Sequence, residues 1–405
     1  MLRTITGKYF RAVRAVLFGG FVLCVSVGCA TYRPVPLEQL SFRERAETLE
    51  DEDLRVSVSV LSREEARQAF GVNLQKRSIQ PVWLEIENRG DKPFWFMLHG
   101  MDPNYFSAHE AAYMNHFFWG GSTNKEMDAY FADLGIDQNI EPGKTQSGFA
   151  FTNETIGTKE IRIRLFSHKD VRTFEFFISI PGIQSDWDRI DLKGLYAPDD
   201  MLVVESDEDL KKALQAMPCC TQRSDGSGEG KPVNIVLVGL LPALKAFIKA
   251  GWDETAFQAT PFSYFGTNYL FGREPDVQFQ KTTQQIQTES LVRLWVSPIL
   301  YRDMGVWVGS IVRNIDPLVD EAAIYLVEDL GTARTVSHYG IVQRGDSTEF
   351  YEPRTDFMGR TYWTRGETFV LKMTEEPVTL DEIDQFDWDW VRNVRRIPDP
   401  LPETP

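Results

Sequence analysis

Two neighbouring cysteines, Cys219 and Cys220, are the first residues of this chain whose type and spacing could support chemistry. Adjacent thiols can close a strained, easily reduced disulfide that could act as a redox switch, or contribute two thiolates to a metal site. A metal needs further ligands, and the nearest histidines, His168 and His338, are distant in sequence. We therefore expect a structural role, either as a vicinal disulfide or as an unpaired pair.

A second group of candidates combines arginines and aspartates in the second half of the chain: Arg273, Asp276, Arg293, Asp316 and Asp320. Arginine binds carboxylates and phosphates in a bidentate manner, so these side chains could form a polar site. Buried pairs of arginine and carboxylate that stabilise a sheet would explain the same residues equally well. No Gly-x-Ser-x-Gly motif occurs, and His338 is the only histidine of this half, so a serine-hydrolase triad is not indicated.

Histidines in the first half suggest a metal site at first sight, because His99, Asp102, His109 and His116 follow one another closely. On one helix, however, the seven residues from His109 to His116 make two turns, or about 10.5 Å, which is too far for one ion. We expect no metal and no cofactor.

The first 29 residues indicate where the protein resides. Four basic residues, Arg3, Lys8, Arg11 and Arg14, precede an uncharged run from Ala15 to Gly28. This pattern is typical of a secretory signal and is too short for a stable membrane span. The end of the run, Val25-Ser26-Val27-Gly28-Cys29, resembles the lipobox of bacterial lipoproteins, although Ser26 replaces the usual leucine. That resemblance implies cleavage after residue 28 and lipidation of Cys29; an ordinary signal peptide with an incidental cysteine is the alternative.

Charge limits the partners of the mature chain. The net charge is −16, and loss of the four basic signal residues leaves about −20, which argues against nucleic acid and against electrostatic binding to anionic lipids. The acyl chains would therefore hold the protein at the membrane. Ala30 stands where an aspartate would retain a Gram-negative lipoprotein in the inner membrane. We expect the outer membrane, facing the periplasm, with a Gram-positive surface lipoprotein as the alternative.

Residues 29–53 contain two prolines and a dense charge mixture, which favours a tether. Residues 54–185 follow a period of two, as in Val56-Val58-Val60 and Ile161-Ile163-Leu165, with turn signals between the runs. About seven short strands predict an immunoglobulin-like sandwich, without its framework disulfide because no cysteine lies between Cys29 and Cys219.

An aromatic insertion at 99–136 interrupts the predicted strands. Ser107 and Glu110 form a capping-box pattern that starts a helix, and aromatic residues surround it. We expect the insertion to fold back over the open end of the sandwich; a ligand cleft or a partner surface is the alternative.

Near residue 185 the pattern changes to an α+β domain spanning 186–378, with helices on one face of a mainly antiparallel sheet. Leu202–Val204 reads as a strand, Asp207–Ala216 as a helix capped by Ser206, and Val233–Val238 as a central strand buried on both faces. Residues 379–405 are acidic and proline-rich, which is typical of a tail.

Residues 195–335 resemble the LssY-like C-terminal domain family. The resemblance rests on segments in the family's order: Pro218-Cys219-Cys220, Asp225-Gly226, Pro232–Gly239, Ala246-Phe247, Ala250–Trp252, Phe271–Arg273 with Asp276, Arg293-Leu294-Trp295, Val306–Gly309, and Ile315–Pro317 with Asp320. The family has no settled activity. Its members often carry histidines where Thr288–Ser290 and Arg313-Asn314 stand here, so chemistry that depended on them would be lost.

The sequence therefore favours a membrane-tethered envelope lipoprotein that acts as a binding or assembly module for envelope proteins. The alternative is a periplasmic hydrolase of a lipid, phosphoester or cell-wall substrate, with its site around Arg273, Asp276 and Arg293. Closed ion pairs would favour the binding module, and an open convergent cluster would favour the enzyme.

Overall fold

A computed structural model describes residues 32–155, 157–183, 185–254, 268–283, 288–313, 318–344 and 353–388. The predicted signal peptide, Cys29 and Asp316 lie outside these residues. Within them, no helix is both long and apolar enough to cross a membrane.

The secondary structure is α+β. The helices are α1 (Arg63–Phe70), α2 (Leu98–Met101), α3 (Ala108–Tyr113), α4 (Gly121–Leu134), α5 (Asp207–Ala216), α6 (Leu240–Lys249) and α7 (Val319–Thr332). The strands of the first half are β1 (Glu47–Glu50), β2 (Leu54–Val60), β3 (Ile79–Asn88), β4 (Phe94–Phe96), β5 (Asn139–Ile140), β6 (Thr145–Asn153), β7 (Thr158–Ser167) and β8 (Asp170–Ser179). Those of the second half are β9 (Leu202–Val204), β10 (Ile235–Val238), β11 (Asp253–Glu254), β12 (Val277–Thr283), β13 (Thr288–Tyr301), β14 (Met304–Arg313), β15 (Val336–Gln343), β16 (Arg354–Thr355), β17 (Thr361–Tyr362), β18 (Glu367–Met373) and β19 (Asp384–Gln385).

The first half is a sandwich of two sheets, which in the described residues run β1-β2-β3-β6 and β5-β4-β7-β8. The period-two residues of β2 and β7 that the sequence analysis singled out are fully or almost fully buried in the core between the sheets. The prediction of strands with one face in a shared core is therefore confirmed for these runs.

Most of the aromatic insertion covers the outer face of one sheet, while Met101 and Ile136, near its two ends, pack against the core between the sheets. Trp83 of β3 and Phe149 and Phe151 of β6 point away from the shared core and pack with Phe70 of α1 and Phe131 of α4. The chain returns to the sheet so closely that a Cβ on Gly148 would lie 2.7 Å from the backbone of Ile136. The capping box of Ser107 and Glu110 forms as predicted.

The segment predicted as a tether is packed against the sandwich where it is described. Phe42 is fully buried, its carbonyl accepts a 2.7 Å hydrogen bond from Ser59, and β1 pairs with β2 throughout. Because charged residues surround Phe42 in the sequence, its buried position could not be recognised from the sequence alone. The tether prediction is therefore wrong for residues 32–53.

The second half is built on a mixed sheet, ordered β11-β12-β13-β14-β10-β18-β15-β19 with β9 beside β13 in the described residues. Most pairs are antiparallel, as predicted, whereas β10–β18, β9–β13 and β15–β19 are parallel. The central strand β10 is buried on both faces. Helices α6 and α7 cover one face and α5 covers the other, so the prediction of helices on one face is wrong.

Residues 379–388, predicted to begin a tail, complete this domain. Strand β19 pairs with β15, and Phe386 and Trp388 are buried beside α5. The remaining residues of the predicted tail lie outside the described chain.

Candidate functional site

Arg273 and Asp276 form a closed, bidentate ion pair at the start of β12. The Arg273 Nε and Nη2 atoms lie 3.0 and 2.8 Å from the two carboxylate oxygens. Arg273 also donates to the Tyr196 hydroxyl at 2.8 Å and to the Val296 carbonyl at 2.6 Å. The Val296 amide in turn donates to Asp276 at 2.7 Å. This saturation of donors and acceptors ties the β12–β13 end of the sheet together.

The electrostatics of this pair suit structure better than proton transfer. Burial alone would lower the pKa of Arg273, but the hydrogen bonds and charge of Asp276 outweigh it and raise that pKa above its ordinary value. The guanidinium also lies over the rings of Tyr196 and Phe271, at 5.1 and 5.5 Å from their centroids. A group that is permanently charged and fully engaged cannot serve as a general acid or base.

Asp320 is held in a different part of the sheet. It lies fully buried in the first turn of α7, accepting 3.0 Å and 2.6 Å bonds from the Thr364 hydroxyl and the Arg365 amide. Burial raises the pKa of this carboxyl. Its partners come from the loop before β18, so Asp320 fixes that loop to the helix and does not join Arg273.

Arg293 is the exception among the predicted polar residues. It lies on β13, partly exposed, and makes no hydrogen bond or ion pair in the described structure. Burial, with a smaller contribution from the nearby charge of Arg360, lowers its pKa to about 10. Directly opposite on β14, the hydroxyl of Ser310 is buried and has no hydrogen-bond partner among the residues that the structure describes. The sequence singled out Arg293 but gave no sign of Ser310.

Cys219 and Cys220 are joined by a disulfide. The Cys220 sulfur lies 3.4 Å from a carboxylate oxygen of Glu229, which also pairs with Arg354 at 2.9 Å. The three potential ligand atoms of the cysteines and Glu229 lie within 4.8 Å of one another. Sulfurs bonded to each other are not thiolates, however, so this group could hold a metal only after reduction.

Comparison with protein families assigns the segment that contains most of these residues. Residues 258–367 match the family model described as LssY C-terminus. We call residues 258–367 the LssY segment. The predicted resemblance to this family is confirmed over residues 258–367, a range that starts and ends later than the expected 195–335. A search of curated proteins found no match.

The LssY segment includes Arg273, Asp276, Arg293, Ser310 and Asp320, whereas the disulfide precedes it. The sheet that positions these residues extends beyond the segment, because the central strand β10 lies before residue 258. The family match alone therefore assigns no role to any of these side chains.

A cleft lies between the two halves of the protein. Most of the residues that line it are outside the LssY segment. It has a volume of about 220 Å³ and is lined by Phe177 of β8, Trp187, and Leu244 and Lys245 of α6. Beside it, Lys249 and Glu175 form a 2.6 Å ion pair between the halves. Sequence reasoning missed this cleft because each wall comes from a different predicted domain.

The aromatic insertion presents two large side chains to solvent between α3 and α4. Phe118 and Trp119 are 89% and 91% exposed, and their rings contact each other edge to face at 4.8 Å. Asn124 holds the preceding residue by accepting from the Phe117 amide at 3.0 Å and donating to its carbonyl at 2.9 Å. We call Phe118 and Trp119 the aromatic tip. The loop that carries it is fixed by hydrogen bonds.

His116 also stabilises the loop that carries the aromatic tip. Its Nε2 lies 2.8 Å from Asp128 of α4, and His109 Nδ1 lies 3.7 Å from the same oxygen. Helix α3 ends at Tyr113, so the two histidines do not share one straight helix as the spacing argument assumed. Because both histidines approach the same carboxylate, a structural role in stabilising the insertion explains them.

Proposed function

We propose that this protein is a lipid-anchored module of the bacterial cell envelope, at the periplasmic face of the outer membrane, that binds other envelope proteins and does not catalyse a reaction. The observation that carries the proposal is the aromatic tip. Two adjacent aromatic side chains that are almost fully exposed on a fixed loop are costly to hydrate. Large aromatic residues are also enriched among those that dominate binding energy at protein interfaces.

Chain geometry supports a position close to the membrane. Tyr32 packs edge to face on Tyr130 of α4, with ring centroids 6.3 Å apart. A lipid on Cys29 would be three residues upstream, at most about 10 Å of chain. Helix α4 begins nine residues before Tyr130, a rise of about 14 Å, and the aromatic tip lies just before it. The tip would thus face partners near the bilayer surface.

The state of the polar candidates supports binding over catalysis. Arg273, Asp276 and Asp320 are engaged in closed structural contacts, as expected for a binding module. The alternative, a hydrolase of a lipid, phosphoester or cell-wall substrate, has one observation in its favour, because Arg293 has no polar partner within the described ranges. A hydrolase also needs a nucleophile with a base, and neither histidine nor carboxylate pairs with Ser310 in the described structure.

We also infer that the sandwich is immunoglobulin-like. Its sheets keep β2-β3-β6 together and place β4 beside β7 and β8. This corresponds to the A-B-E and C-F-G groupings of that architecture. Such sandwiches commonly serve as binding scaffolds, which agrees with the proposed role.

The test is site-specific photo-cross-linking in intact cells. A photoreactive phenylalanine analogue at position 118 should cross-link to a defined envelope protein. The same analogue at Val171, which is 64% exposed at the β8 end of the sandwich, is the matched control. Adducts with lipid alone, or the same products from both positions, would contradict a protein-binding tip.

Anchoring is tested separately in the same cells. The Cys29→Ala variant should lose lipid labelling and should accumulate unprocessed or leave the membrane fraction. Unchanged membrane association and processing would refute lipidation without touching the role of the tip.

A further inference from the structure

A row of polar residues lies at the margin of the apolar sheet face that α5 covers in the second half. Register places Arg293 of β13 opposite Ser310 of β14 on one side and Gln278 of β12 on the other. Two residues further along β13, Trp295 is fully buried in the core under α5, opposite Val308. Arg293 and Ser310 therefore share the face of this core but lie at its margin, where Arg293 reaches solvent.

Neither Arg293 nor Ser310 has a polar partner for its side chain among the described residues. The partly exposed Arg293 has five N–H donors and finds no acceptor among the described residues, and the buried Ser310 hydroxyl has no hydrogen-bond partner there. Leaving such groups unmatched is unfavourable, and native proteins rarely do so away from functional sites. Residues directly opposite on antiparallel strands have Cβ atoms about 5 Å apart, so a ligand atom bound by Arg293 would lie close to the Ser310 hydroxyl.

Charge around the row favours an anion. The charged group that most affects Arg293 is a second cation, Arg360, and no carboxylate in the described part of the chain offsets it. Arg360 itself is bonded to Asp356 at 3.2 Å, and Lys231 lies 3.6 Å from the same carboxylate. Two cations, Arg360 and Lys231, thus share the Asp356 carboxylate. Arg273, by contrast, has its own carboxylate and carries no such excess.

We infer that Arg293 and Ser310 form a binding site for a phosphate group. A phosphate oxygen can accept from the guanidinium and from the hydroxyl at the same time, while Arg360 adds positive potential. Arginine is well suited to this because its planar donors match the oxygens of a phosphate. The inference does not depend on the lipid anchor or on the aromatic tip.

Thermal unfolding of the purified mature protein tests the site with inorganic phosphate as the probe. Phosphate should raise Tm in a concentration-dependent manner, beyond a sodium chloride control of equal ionic strength. Arg293→Gln should weaken phosphate binding at least about tenfold, since a charge-assisted hydrogen bond is worth that much or more. Ser310→Ala should weaken it less. Arg302→Gln, in the same domain but paired with Asp207 on the surface, should bind as the wild type does.

Stability without phosphate provides a second readout. Arg293→Gln should leave Tm unchanged or raise it, because it removes an unmatched charge. A lower Tm in Arg293→Gln together with no phosphate effect on the wild type would show that Arg293 is structural and overturn the inference. An equal gain from phosphate in wild type and Arg293→Gln would also overturn it.

The source of the phosphate group is resolved by two further titrations. Glycerol 3-phosphate represents a soluble ester, and phosphatidylglycerol in detergent micelles represents a lipid headgroup. Tighter binding of one of them, lost in Arg293→Gln, identifies the source. Binding of either that is insensitive to Arg293→Gln would place it elsewhere and contradict the site.

Discussion

Replacing Arg273 by methionine should destabilise the C-terminal domain strongly. The substitution leaves the Asp276 carboxylate, which is 8% exposed, without its cation. Breaking a buried ion pair from one side costs about 3–5 kcal/mol, and the 22% exposure of Arg273 places this case near about 3 kcal/mol. For a domain of this size, Tm should then fall by roughly 6–12 °C.

The assay is equilibrium unfolding in urea combined with calorimetry, with two further variants. Arg67→Met is the matched control, because Arg67 binds Glu64 with the same bidentate geometry, at 3.1 and 3.0 Å, but on the surface of α1. It should unfold like the wild type. Arg273→Met with Asp276→Asn should recover about 1–2 kcal/mol relative to Arg273→Met alone, since no lone charge stays buried.

The outcome separates the two functional hypotheses. A functional arginine is often retained at the expense of stability, so its removal leaves stability unchanged or improves it. If Arg273→Met unfolds no more easily than Arg67→Met, the closed pair is not a structural tie, and the reasoning that favours the binding module fails.

Three further predictions concern the remaining features. Burial lowers the pKa of Lys159 to about 8, whereas a lysine in the unfolded chain has a pKa near about 10.4. Between these pH values the unfolded chain binds more protons, so the free energy of unfolding should rise with pH by at most about 1.4 kcal/mol per pH unit. Urea titrations of Lys159→Met should not show this rise. Cys219→Ser with Cys220→Ser should lower Tm modestly in calorimetry and leave cross-linking from position 118 intact; lost cross-linking at unchanged Tm would mean a functional pair. Limited proteolysis should cut first within the exposed residues 191–194, and mass spectrometry that finds the first cut inside the sandwich would contradict this.

Local signals were the parts of the fold that the sequence could predict. Helix α5 has the predicted bounds, and the Ser206 side chain accepts from the Asp209 amide as a cap should. The capping box at Ser107 works the same way. These elements could be predicted because a cap involves residues only three positions apart. The period-two runs of the sandwich depend on equally local patterns.

Pairings between distant residues could not be predicted in the same way. Strand β10 lies parallel to β18, with Ile235 beside Phe369, and nothing in either run specifies the other. The outward-facing Trp83 and Phe149 looked like ordinary strand residues, since the segments that cover them, around Phe42 and in α1 and α4, lie outside their own strands. Placement of α5 opposite α6 and α7 depends on which side of the sheet each connection crosses, which composition does not reveal.

The candidate site shows the same division. The pairing of Arg273 with Asp276 could be anticipated because the two residues are three positions apart, and the sequence analysis raised such pairs as an alternative. The unmatched state of Arg293 was not, because the absence of a partner depends on the register of β12, β13 and β14 together. Ser310 carried no signal at all, since a serine in a strand is ordinary until its hydroxyl is found buried without a partner.

The boundaries of the LssY match have a structural consequence. The matched residues 258–367 contain β12 to β15 and α7, but the sheet joins β14 to β15 only through β10 and β18. Strand β10 precedes the match, and β18 begins at its last residue. Without these two strands the inner edges of β14 and β15 would lose their hydrogen-bond partners, and the cores on both faces would open. The unit that folds must therefore reach at least from β10 to β18, so any role of Arg293 and Ser310 depends on strands that the family match does not cover.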